Sequence, residues 1–194
     1  MTNSNKLQKI GKAIESHSKS VARLQQDCGE ILAAAAEAVI ESLKSGGRIY
    51  VCGNGGSAAD AQHIAAELLG RFNRDRKALA AMALTTDSSV MTSICNDYGF
   101  ENIFTRQVDA LVKKPDVLWA ISTSGESANV VSAARLAKEK GAIVLAFTGK
   151  AGSELEKTAD ICLCANDSST ARSQEIHQLA YHIICELVED SLSE

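Results

Sequence analysis

Residues 48–67 read RIYVCGNGGSAADAQHIAAE. A short apolar run stops at glycine, and an alanine-rich stretch of about four turns follows, which predicts strand, tight turn and helix. The same change of pattern recurs along the chain. ALAAMAL (78–84), DVLWAIS (116–122), AIVLAFTG (142–149) and ADICLCA (159–165) read as further strands. Helical segments at 87–95, 100–112 and 127–140 separate them, and a last helix spans about 171–191. Strands alternating with helices predict a parallel sheet with helices on both faces. One doubly wound α/β domain over residues 1–194 accounts for the pattern.

Upstream of that first strand, Leu7, Ile10, Ile14, Val21 and Leu24 recur at helical spacing, and a second helix near 29–45 ends at Gly46-Gly47. Residues 1–46 therefore read as two leading helices suited to packing on a partner subunit, and 47–194 as the α/β core with its C-terminal helix. The only proline, Pro115, sits just ahead of a strand, where its missing N–H does least harm.

Composition narrows the class. A chain of 194 residues fits one well-buried core and leaves little room for a second. Aromatics are scarce at 4% and alanine is abundant, which favours closely packed helices over an all-β sandwich. The net charge is −4 and no stretch concentrates basic residues, so no nucleic-acid footprint is expected; the most basic run, RFNRDRK (71–77), suits a solvated loop. The start MTNSNKLQKI lacks the apolar core of a signal peptide, and no apolar run approaches the ~20 residues of a spanning helix. A cytoplasmic protein with no membrane partner is expected. Cysteines at 28, 52, 95, 162, 164 and 185 lie mostly in apolar segments and read as buried thiols, with Cys162 and Cys164 on one strand face in the core.

Ligands of parallel sheets bind beyond the carboxyl ends of the strands, so the turns there matter most. Gly53, Gly55 and Ala58 fit a dinucleotide fingerprint, but the acidic residue expected ~20 positions on is missing, as is any Walker lysine. What remains is geometric: glycines let the backbone approach a ligand, and Ser57 can cap the next helix. The second turn, Ser122-Thr123-Ser124-Gly125-Glu126-Ser127, places four hydroxyls and a glycine at the start of a helix. Hydroxyls and backbone N–H groups there can surround a phosphate dianion without a lysine. A cap needs one hydroxyl; four favour the phosphate of a sugar.

Two groups of side chains could do chemistry. His63 and Glu67, at i and i+4, share one face of the helix that leaves the first turn. The last helix carries SQEIHQLAYHIICE (173–186), with Gln174, Glu175, His177, Gln178, His182 and Glu186 among its apolar residues. Spacing leaves the pairing open: Gln178 with His182 or His182 with Glu186 is the i,i+4 choice, while Gln174 lies roughly 12 Å before His182 along the axis. A polar face with two solvated histidines is the plainer explanation.

GNGGSAADAQHIAAELLGRF, CNDYGF, ISTSGESANV, FTGKAGSELEKTAD and TARSQEIHQLAYH, in that order, resemble the sugar isomerase (SIS) family and, within it, the phosphoheptose isomerases. The likeness runs from about residue 30 to the end. It implies a flavodoxin-like three-layer α/β sandwich of about five parallel strands, assembled as a homotetramer with active sites between subunits. It also implies roles. Ser122, Thr123, Ser124 and Ser127 match the phosphate loop; Asn54, Gly55, Gly56 and Ser57 match a substrate-contacting turn; and Asn96 and Asp97 match a polar pair reaching the sugar. His63, Glu67, Gln174 and His182 match a zinc site, one ion per subunit, which selects Gln174 over Gln178. Glu67, Gln174 and the turns together hold substrate, and Glu67 and His182 match the acid/base residues. Arg71 fits a motif position whose contact with substrate the resemblance leaves open.

The implied reaction converts sedoheptulose 7-phosphate to D-glycero-D-manno-heptose 7-phosphate, the first step towards nucleotide-activated heptose. It moves a carbonyl from carbon 2 to carbon 1 through a cis-enediol, which needs a base at carbon and an acid/base between the oxygens. Glu67 suits the carbon-bound proton and His182 the other, and zinc can polarise the oxygens. Two other readings share the fold: a non-catalytic tetramer that binds a replication initiator, and an isomerase for another phosphosugar. Three positions depart from the family pattern. Glu126 stands where asparagine is common, so its carboxylate must turn away from a dianion; Ser153 replaces a glycine and Ser173 an isoleucine.

Overall fold

The computed structural model describes residues 2–193. Five strands form one all-parallel sheet: β1 (Ile49–Gly53), β2 (Ala81–Ala83), β3 (Val117–Ser122), β4 (Ile143–Thr148) and β5 (Ile161–Cys164), in the order β2-β1-β3-β4-β5. All six residues of β3 are buried, as expected of a strand covered on both faces. Its residues alternate between two cores. Val117, Trp119 and Ile121 join the layer of α2 (Gly29–Lys44), α3 (Gly56–Leu69) and α8 (Thr170–Leu192). Leu118 and Ala120 join the layer of α4 (Ser88–Tyr98), α5 (Thr105–Leu111) and α6 (Ala128–Glu139). The strand order reverses between β1 and β3, where a crevice opens at the carboxyl ends of a parallel sheet. Both glycine and hydroxyl turns leave those two strands.

Several local expectations are corrected. The strand read over 78–84 pairs only at Ala81–Ala83, because it is an edge and bonds on one side. The helix read over 100–112 divides into a 3₁₀ turn, Phe100–Asn102, and α5. A five-residue helix, α7 (Glu154–Thr158), is too short to show a period in sequence. Cys95 is exposed, and Cys162 and Cys164 are half-buried near the open edge of the sheet; all six thiols are free. The two leading helices, α1 (Asn3–Asp27) and α2, are interrupted only at Cys28. On α1 only Ser20 and Leu24 are buried, and Leu7, Ile10 and Ile14 are 62%, 55% and 62% exposed. Within one chain that apolar stripe has no cover.

Among the described residues, no helix is long and apolar enough to cross a membrane.

Candidate active site

The two turns enclose one cavity. Asn54, Gly55, Gly56 and Ser57 line one side, Ser122, Thr123 and Ser127 the other, and Thr170 and Gln174 of α8 close it; its volume is about 290 Å³. Two other cavities, of about 270 and 450 Å³, share no lining residue with it. The turns are bolted together by reciprocal amide bonds: Asn54 Nδ2–H donates to Asn129 Oδ1 and Asn129 Nδ2–H to Asn54 Oδ1, both at 2.9 Å. Asn129 was not singled out in sequence, because an asparagine inside a helix carries no spacing signal.

Glycine is required at the rim. Gly55 has φ +56°, where L side chains are strained, and a Cβ on Gly56 would lie 2.3 Å from Gln174 Nε2. Gln174 thus packs its amide directly on the first residue of α3. Ser57 does not cap that helix. The cap position is Gly55, without a side-chain bond, and Ser57 is buried inside the first turn.

The hydroxyl turn has a comparable economy. Ser122 Oγ lies 2.9 Å from Ser127 Oγ and 3.2 Å from Ser124 Oγ, and accepts from the Gly125 N–H at 3.2 Å. Ser127 holds the cap position of α6 yet makes no capping bond there, so its hydroxyl faces the other serines instead of serving the helix. Hydroxyls gathered at a helix start, with no lysine or arginine lining the cavity, suit a dianion held by dipoles. Glu126 is turned away: its Oε1 accepts the Glu154 N–H at the start of α7, at 3.1 Å. Ser153 is buried behind Gly125, and Ser173 is buried with its Oγ donating to the Asp167 carbonyl at 3.4 Å.

Alongside this cavity, α3 and α8 run in the same direction. Gln174 meets Gly56, and Tyr181, seven residues on, meets His63. Here the chain gathers a second polar group. Nitrogens of His63 and His182 and an oxygen of Glu67 all lie within 4.8 Å of one another. Glu67 Oε1 is 2.9 Å from His63 Nε2, and Tyr181 Oη is 2.8 Å from His63 Nδ1. A carboxylate only accepts, so neutral His63 carries its proton on Nε2 and receives the tyrosine O–H at Nδ1. The His63 and His182 rings meet edge to face at 5.0 Å. Burial, followed by the neighbouring His63, pulls His182 below the ordinary imidazole range, against the opposing pull of Glu67. His182 is therefore neutral at physiological pH and able to accept a proton.

Three contributors went unread in the sequence. Tyr181 orients His63. Phe72 lies against His182, ring centroids 5.7 Å apart. Asp60, one turn before His63, has a buried Oδ2 without a partner and is pushed up to about 6 by burial, with His63 pulling the other way. Of the two histidines read as plausibly solvated, His177 is fully buried: its Nε2 lies 3.0 Å from the Thr148 carbonyl at the end of β4. Gln174 makes no hydrogen bond to His63, Glu67 or His182 among the described residues. Asn96 and Asp97 are exposed on α4, bonded to each other at 2.7 Å, and line no part of the cavity. Arg71 is exposed and turns to the Asn73 carbonyl.

The donor set His63, Glu67 and His182 fits a zinc ion. Two imidazoles and a carboxylate are among its usual ligands, and tetrahedral ligands at ~2.1 Å stand roughly 3.4 Å apart, within small rotamer adjustments of the observed spacing. Tyr181 supplies the outer hydrogen bond that such histidines normally have.

Residues 14–149 match the SIS domain family model. The chain is 51% identical over 164 residues to the phosphoheptose isomerase of Roseiflexus sp. (strain RS-1), covering 84% of this chain and 83% of the relative. The solved structure of a phosphoheptose isomerase from Francisella tularensis is similar with TM-score 0.92 at 37% identity, covering 98% of this chain and 100% of that one. Phosphoheptose isomerase from Neisseria gonorrhoeae gives TM-score 0.89 at 40% identity, over 95% and 98% of the two chains. The order of the sheet, the hydroxyl turn and these likenesses over nearly the whole length agree: the chain belongs to the SIS domain family and, within it, to the phosphoheptose isomerases.

Proposed function

We infer that this isomerase interconverts sedoheptulose 7-phosphate and D-glycero-D-manno-heptose 7-phosphate, the entry step towards nucleotide-activated heptose. The observation that carries the reading is the meeting of Glu67, His63 and His182 on the helices that also border the hydroxyl-lined cavity. The phosphate sits among Ser122, Thr123, Ser124 and Ser127, with Asn54, Gly55, Gly56 and Ser57 opposite and Gln174 alongside. His63 lies two turns beyond Gly56 on α3, roughly 10 Å further along the axis. An extended seven-carbon chain suits that separation better than a short one.

Glu67 takes the proton from carbon 1 and returns it to carbon 2, and neutral His182 moves the proton between the two oxygens. His63 holds the Glu67 carboxylate in place from the next turn of the helix. His63, Glu67 and His182, with Gln174 as a fourth and neutral ligand, would hold zinc. The ion, when bound, supplies Lewis-acid polarisation of the sugar oxygens. Asn96 and Asp97 reach substrate only in an assembly, and a homotetramer with sites between subunits, covering the apolar stripe of α1, is consistent with their exposure. Identity of about half to phosphoheptose isomerases favours this enzyme over the initiator-binding alternative.

A panel of five-, six- and seven-carbon ketose phosphates, followed by NMR for aldose product, tests the reading. Turnover confined to the seven-carbon substrate is expected. Turnover of a shorter ketose in its place would reassign the enzyme.

A further inference from the structure

Beyond the cluster, where α3 ends, the structure holds a buried ion pair that the chemistry above does not use. The side chains of Arg76 and Glu189 are 3% and 2% exposed, with Arg76 Nε 3.2 Å from Glu189 Oε1. Arg76 grips the last turn of α3. Its Nη2–H donates to the carbonyl of Glu67 at 2.8 Å and its Nη1–H to that of Leu68 at 2.9 Å, two acceptors that a helix end leaves without partners. Glu189, on α8 two turns beyond His182, gathers three successive backbone donors: Phe72 N–H at 2.9 Å on Oε1, and Asn73 and Arg74 N–H at 2.7 and 2.9 Å on Oε2. The loop it fastens is the one that lays the Phe72 ring against His182.

One arm of this pair thus reaches the backbone of Glu67, and the other reaches the ring of His182 through Phe72. We propose that Arg76 and Glu189 form a positioning latch that sets the separation and orientation of Glu67 and His182 for proton transfer. The proposal rests on the isomerase reading of that site. A latch of charge and directed hydrogen bonds defines spacing more sharply than apolar packing, because each bond tolerates only a few tenths of an ångström. Proton transfer is sensitive on that scale, since a misplacement of about 1 Å costs on the order of a hundredfold in rate.

Arg76→Lys tests it, because lysine keeps the charge beside Glu189 but cannot hold both carbonyls with one rigid fork. Turnover of sedoheptulose 7-phosphate and solvent-deuterium incorporation at the reacting carbons are followed by NMR, well below each variant's own Tm. A fall in kcat of about tenfold with KM within about twofold is expected, the pattern of an interaction made only in the transition state. Phe72→Leu leaves the ion pair intact, and a smaller fall, about threefold in kcat at unchanged KM, is expected. If Arg76→Lys does not fold, Phe72→Leu decides. Wild-type kcat in folded Arg76→Lys, or in Phe72→Leu when that variant decides, overturns the latch while the enzyme reading stands. A wild-type protein that turns over no ketose phosphate overturns the enzyme reading itself, and the latch with it.

Discussion

The hydroxyl turn at 122–127 and the imidazole–carboxylate cluster of α3 and α8 border one crevice but are built in opposite ways. The turn is contiguous and its ligand groups are neutral hydroxyls and backbone N–H groups fixed by the start of a helix. The cluster draws on residues far apart in sequence, and its groups ionise. A grip of fixed dipoles suits binding, because it holds the dianion in ground state and transition state alike. A pair of titratable groups suits chemistry, because its charge changes during the reaction. Damage to the turn should therefore appear in KM, and damage to the cluster in kcat.

Glu67→Gln is the sharpest way to break that contrast. It should lower kcat by about a thousandfold with little change in KM, read as aldose formation by NMR. Near wild-type turnover would remove Glu67 from the chemistry.

The tie between the regions is His177, which joins α8 to the end of β4 beside the hydroxyl turn. Burial holds it neutral and pushes it down to about 4, whereas the unfolded chain takes the proton near 6.5. The unfolded state binds more protons between those values. Stability from this group is full above pH 6.5 and is lost as pH falls towards 4, about 3 kcal/mol at about 1.4 kcal/mol per tenfold change in proton affinity. His177→Gln keeps a donor for Thr148 and cannot titrate, so subtracting its urea-derived stability profile from that of wild type should isolate this slope. Asp60, raised to about 6, contributes the opposite slope between 3.8 and 6 in both proteins and cancels in the difference. Parallel profiles would mean that His177 does not titrate as its burial implies.

Smaller effects refine the comparison. Tyr181→Phe removes the outer hydrogen bond of His63 and should weaken binding of zinc ion alone by about tenfold or more in calorimetry. Unchanged affinity would detach Tyr181 from metal binding. Thr123→Val keeps shape and removes one hydroxyl from the cavity wall; KM should rise about tenfold with kcat within about twofold. A loss confined to kcat would contradict the division of labour. Glu126→Ala loses only an exposed bond to the start of α7, and thermal unfolding should register less than about 1 kcal/mol.

Legibility in the sequence followed the same divide. The parallel sheet was readable because β1, β3 and β4 are continuous apolar runs, and the hydroxyl turn because its residues are neighbours. The edge strand β2 was overread, since a strand bonded on one side shares its composition with a loop. Spacing on α8 left Gln174 and Gln178 equivalent, and only the resemblance separated them. Tyr181 and Phe72 looked like ordinary apolar positions; their contact with imidazoles depends on which helix lies alongside. His177 showed no sign in sequence that it would be enclosed, because burial belongs to the packed helix and not to the residue.

By itself, then, the sequence determined the α/β architecture, the two ligand turns and, through its motifs, the family, because hydrophobic period and turn chemistry are local properties of neighbouring residues. Only the tertiary structure decided that His63 and Glu67 meet His182, that Glu126 turns to α7, and that Arg76 and Glu189 close the far end of the same two helices. Those contacts depend on the relative placement of α3, α6, α7 and α8 around the sheet, and that placement is set by the packing of two cores rather than by any spacing along the chain.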